Sequence, residues 1–92
     1  MTTRAEGASA ASVATWPDAD LVLDLKGLKC PLPVLHTRKA LQRLAPGARL
    51  KVLCTDPMAA IDIPHLIHET GDVLEGKARD ETTLAFLVRR RA

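Results

Sequence analysis

Between Leu21 and Thr70 the hydrophobic pattern changes period three times, each time at a proline, and nothing else in the sequence constrains the fold as much. "DLVLDL" (20–25) alternates, which puts Leu21, Leu23 and Leu25 on one face of a strand. From Pro31 the spacing becomes helical. Val34, Thr37, Ala40, Leu41 and Leu44 share a stripe, with His36, Lys39 and Arg43 opposite, and Pro46-Gly47 stops the run. "RLKVLC" (49–54) alternates again, with Leu50, Val52 and Cys54 in phase. Thr55-Asp56-Pro57 predicts a second helix start, Asp56 as N-cap and Pro57 in the first helical position. Ala59, Ala60, Ile63, Leu66, Ile67 and Thr70 supply its buried stripe, and Gly71 ends it. Pro64 either kinks this helix or opens its main part after a preliminary turn, because proline removes an internal donor. "DVLEGKA" and "TTLAFLVRRR" flank the turn-like Arg79-Asp80-Glu81 and read as a hairpin.

The resulting order is β-α-β-α-β-β. The first strand–helix–strand unit calls for a right-handed crossover between parallel strands. So short a chain places both helices on one sheet face, a two-layer α/β sandwich. Val22, Asp24, Lys51, Leu53, Ala85 and Leu87 fall on the other face, a mixture that suggests partial exposure or cover by a partner.

The 92 residues suit one domain, divided into a disordered tail (1–19), rich in Ala, Ser and Thr, and a folded unit (20–92). That unit is near the lower limit for a single core, so most apolar side chains must be buried. The tail has one basic residue, Arg4, and no apolar core, so it does not read as a secretory signal. No run approaches the roughly 18 apolar residues of a membrane span. Trp16 and Phe86 are the only aromatics and the net charge is +2, which leaves no stacking platform for nucleic acid. Cys30 and Cys54 make no disulfide framework and no CxxC pair. A reduced, cytoplasmic protein without membrane or nucleic-acid partners fits these features.

Cys30 occupies the end of the loop "KGLK" (26–29), immediately before the first helix. In a strand–helix–strand unit this is the carboxyl edge of the sheet, where function collects. Gly27 supplies the turn, and Pro31 and Pro33 fall in the first helical turn, whose amides have no partners within the helix. The prolines make a rigid ledge and bias Cys30 toward an extended backbone. A helix N-terminus lowers a thiol pKa, and Lys29, with Lys26 and Arg38 close in sequence, would favour the thiolate further. Two prolines withhold amide donors, so the expected shift is modest. Cys54, in phase with Leu50 and Val52, reads as a buried packing residue.

"LDLKGLKCPLPVLHTRKAL", followed by a strand, "TDPMAAIDIPHLIHETG" and a hairpin, resembles the TusA/SirA-like sulfur-carrier family. The resemblance rests on Cys30-Pro31-Leu32-Pro33, on Asp56-Pro57 and on Asp62-Ile63-Pro64, and covers about Leu21 to Arg90. It implies a mixed four-stranded sheet within the two-layer sandwich, and a persulfide carried on Cys30. It also implies a donor such as a cysteine desulfurase or a rhodanese-like protein, and an acceptor in tRNA thiolation, molybdenum-cofactor chemistry or sulfur oxidation. Some relatives carry Glu between the two prolines, where this chain has Leu32. Lys26, Lys29, Arg38 and Lys39 are candidate partner contacts for a monomer that forms transient complexes. No cofactor is expected.

His65 and His68 share a helical face, but no third ligand is spaced with them, so no metal site is expected. His36 lies about 9 Å of helix rise beyond Cys30, too far for a general base. Two further readings stay open from the residues: a non-catalytic regulatory or adaptor module, and a thiol-redox modulator, both using the Cys30 surface.

Overall fold

The computed structural model describes Trp16 and residues 18–91. Its elements are β1 (Leu21–Leu25), α1 (Leu32–Arg43), β2 (Arg49–Cys54), α2 (Ala59–Thr70), β3 (Val73–Arg79) and β4 (Leu84–Arg89). The sheet order is β1-β2-β4-β3, with β1 and β2 parallel and the other two pairings antiparallel. This is the expected mixed four-stranded α/β sandwich.

Register carries the alternating sequence directly into the core. Leu21, Leu50 and Val88 align across three strands, as do Leu23, Val52 and Phe86, and then Leu25, Cys54 and Leu84. Cross-strand partners share a face, so these rows make one apolar surface. Ala40 and Leu41 of α1 and Ala59, Ile63 and Ile67 of α2 join the same core cluster, which places both helices on that face. Val34 and Leu44 pack at its margin. Each fully buried aliphatic side chain here contributes about 1.5–3 kcal/mol relative to exposure.

The opposite face is better covered than its composition suggests. Ala85 and Leu87 are buried. β3 has a bulge between Leu74 and Gly76, after which Gly76 pairs with Leu87 on this outer face. The Trp16 indole lies against Gly76: a Cβ there would meet indole Cε2 at 2.8 Å. Glycine is therefore the residue that admits the ring. Glu75, at the bulge, accepts hydrogen bonds from Arg49 Nε (2.7 Å) and Arg89 Nε (2.8 Å), fastening β3 to both β2 and β4. The disorder expected of 1–19 falls mostly on 1–15 and 17, which lie outside the described residues.

Three local readings are adjusted. α2 begins at Ala59 with Met58 as N-cap; Asp56 instead caps the preceding turn, accepting from Met58 N at 3.0 Å. α2 runs unbroken through Pro64, so that proline does not begin the helix. In α1, Pro31 is the N-cap residue and Pro33 lies in the first turn. The hairpin turn is organised by Asp80, whose Oδ1 accepts from Thr82 N (3.1 Å) and Thr83 N (2.7 Å). No described helix is long and apolar enough to cross a membrane.

Candidate functional site

Two connections meet at the carboxyl edge of the parallel strands. In the β1–α1 loop, Gly27 adopts φ +88, a region that L side chains rarely enter. This turns the chain so that Gly27 N donates to Thr55 Oγ1 at 2.8 Å. Cys30 N donates to Asp56 Oδ2 at 2.6 Å, while the other carboxylate oxygen holds Met58 N. One aspartate thus fixes both helix approaches. Leu35 N closes on Pro31 O at 3.1 Å, so α1 starts immediately after the cysteine. The Cys30 thiol is exposed and donates to Asp62 Oδ2, in the first turn of α2, at 3.5 Å.

The electrostatics correct one expectation. The Cys30 thiol is pushed above its ordinary pKa rather than below it. Local desolvation acts first, then the hydrogen bond to Asp62 and the charges of Asp62 and Asp56. Pro31 and Pro33 withhold amides that would have favoured the anion. Asp56 is held below the usual carboxylate range by the amides of Met58 and Cys30; burial opposes this, and Lys29 adds to it. Lys29 therefore supports the anchoring carboxylate rather than the thiolate. Cys54 is fully buried, and burial followed by the charge of Asp56 raises its pKa to about 11. Its side chain joins the core, as its phase predicts.

Of the proposed site residues, the structure groups Gly27, Cys30, Pro31 and Pro33 on the ledge. The four basic residues expected as partner contacts are divided. Lys26 Nζ sits 4.0 Å from Asp24, and Lys29 acts on Asp56. Arg38 and Lys39 line a shallow groove on α1 with Leu32, Leu35, His36 and Gln42. Large apolar side chains are exposed on α1, Leu32 (42%) and Leu35 (51%), and at the start of α2, Met58 (48%) and Ile61 (66%). His65 pairs with Glu69 at 3.4 Å. Among the described residues no group of three or more His, Cys, Asp or Glu is disposed to hold a metal ion. Sequence reasoning missed the contacts of Asp56 and Asp62 with Cys30. Both stand in motifs that carried the resemblance, but spacing alone gave no sign that they reach the thiol.

An exposed cysteine stands on a proline ledge of a two-layer α/β sandwich, with its amide and its thiol hydrogen-bonded to separate aspartates. The family model described as sulfurtransferase TusA matches residues 21–90, and the chain belongs to that family. It is 38% identical over 73 residues to a sulfur carrier protein TusA of Pseudomonas putida, covering 79% of this chain and 91% of that one. A Pseudomonas paraeruginosa protein of the same name is 37% identical over 73 residues, covering 79% and 92%. The crystal structure of a SirA-like protein from Desulfitobacterium hafniense superposes with a TM-score of 0.69 at 22% identity, over 78% of this chain and 99% of that one, and shares the fold.

Proposed function

We propose that this protein is a sulfur carrier: Cys30 accepts a sulfane sulfur from a donor protein, holds it as a persulfide and passes it to an acceptor protein. The observation that carries this reading is the contrast between the two thiols. Cys30 is exposed at the carboxyl edge, with its backbone anchored by Asp56, whereas Cys54 is sealed in the core. Family membership and the names of the relatives support it. A cysteine desulfurase or a rhodanese-like protein is the donor class this chemistry asks for.

Docking falls to the surface around the cysteine. Leu32 and Leu35 on α1, with Met58 and Ile61 at the start of α2, offer apolar contact, and Arg38 and Lys39 edge the α1 groove. Such a face fits a partner with an apolar patch rimmed by carboxylates. Charges at the rim speed encounter without making the complex permanent, which suits a relay that must release its donor.

Incubation with a cysteine desulfurase and cysteine, followed by intact-mass measurement, tests the reading. A carrier gains one sulfur, and Cys30→Ala gains none. Binding without added mass would favour an adaptor. A mixed disulfide with glutathione in place of the extra sulfur would favour a redox module.

A further inference from the structure

Asp62 has a place in the site that the carrier reading leaves unused. Its Oδ2 accepts the Cys30 thiol at 3.5 Å. No salt bridge among the described residues engages it. The other charged groups facing Cys30 are accounted for. Asp56, from the β2–α2 connection, is committed to the amides of Cys30 and Met58, and Lys29 acts on Asp56. Among the described residues, Asp62 alone directs a carboxylate oxygen at the sulfur. Its neighbour Ile61, one of the side chains of the proposed docking face, is strongly exposed.

We propose that Asp62 is a positioning residue that restrains Cys30 between partners, keeping the proton on Sγ when the carrier is empty and keeping the sulfur on Sγ when it is loaded. This rests on the carrier reading. In uptake, the Cys30 S–H gives up its proton and its electron pair forms an S–S bond to the terminal sulfur of the donor persulfide. The donor's own S–S bond breaks, its sulfur leaves with the electron pair, and that sulfur takes up the proton through solvent. The moving sulfur keeps its hydrogen and its oxidation state, so no oxidant or reductant is required. An anion beside Sγ opposes the first event. It also opposes discharge, because Cys30 must then leave as a thiolate, and a more basic thiol leaves more slowly. The raised basicity of the Cys30 thiol, attributed to desolvation, Asp62 and Asp56, agrees with this role.

The test compares the full-length wild type with Asp62→Asn, which removes the charge at nearly constant shape, and with Asp62→Glu, which keeps it. Asp62→Ser replaces the Asn variant if circular dichroism shows the amide disturbing the fold. The first readout is alkylation by iodoacetamide across pH, which needs no sulfur and so remains decisive even if Cys30 never gains one. The neutral variant should react faster near pH 7, with its profile displaced to lower pH, while Asp62→Glu follows the wild type. Each tenfold gain in thiolate is worth about threefold in rate, since nucleophilicity falls with basicity along a Brønsted slope of about 0.4–0.5. The second readout is loss of sulfur to glutathione from protein loaded with inorganic polysulfide, which should be faster in the neutral variant. Superimposable alkylation profiles for the wild type and a folded neutral variant would overturn the proposal. So would an Asp62→Glu protein as reactive as the neutral one.

Discussion

Asp56 is the residue through which the site and the fold depend on each other. Its two oxygens hold the amides of Cys30 and Met58, residues that belong to different connections. Those bonds depress its folded pKa below the unfolded value of about 3.9. Above that value both states are ionised and the stabilisation is complete. As pH falls the unfolded chain takes the proton first, so stability is lost as pH drops through the folded pKa. Thermal melts between about pH 5 and pH 3 should therefore show a steeper loss of Tm in the wild type than in Asp56→Asn. Parallel curves would remove Asp56 from this role. The sequence distinguishes Cys30 from Cys54, because Cys54 keeps strand phase with Leu50 and Val52. It does not show the ionisation of Cys30, which depends on carboxylates 26 and 32 residues further along the chain.

Among the elements, the first turn of α1 carries the functional argument. Pro31 and Pro33 restrict the backbone beside Leu32, and on the proposed carrier reading they hold the thiol ahead of the helix for donor and acceptor sulfurs to line up for displacement. Such alignment is worth several kcal/mol in favourable cases, about 7–11 at the upper end. Pro31→Ala/Pro33→Ala should leave Tm little changed, since the first-turn amides that proline lacks have no partner within the helix, yet slow sulfur uptake markedly in stopped-time mass assays. Unchanged uptake in the folded variant would reduce the prolines to markers of the helix start. β3 makes a separate prediction. A Cβ at position 76 would meet Trp16 at 2.8 Å, so Gly76→Ala should displace the ring. Trp16 is the only tryptophan, and its emission should shift to the red and become more open to iodide quenching. An unaltered spectrum would contradict the packing. The strands and helices were legible because burial imposes periods of two and 3.6. The β3 bulge and the Trp16 contact were not, because one extra residue interrupts the period and Trp16 precedes any periodic run.

For the molecule as a whole, a relay requires recognition without retention. On the proposed reading, the exposed apolar side chains at the two helices and the Arg38–Lys39 edge of the groove serve that end. Arg38→Glu should slow uptake from an acidic-faced donor while leaving folding stability within about 0.5 kcal/mol of the wild type, as for most exposed substitutions. Raising ionic strength from about 0.01 M to about 1 M shortens the Debye length from roughly 30 Å to 3 Å and should weaken wild-type uptake. Indifference to both changes would exclude electrostatic docking at this face.

The central claim is that one thiol of this sandwich carries the sulfur. Peptide-level mass mapping of the desulfurase-loaded wild-type protein tests it most directly. The account predicts one additional sulfur on the peptide containing Cys30 and none on the peptide containing Cys54, and Cys54→Ala should load as the wild type does. Sulfur mapped to Cys54, or loading that survives Cys30→Ala, would contradict it.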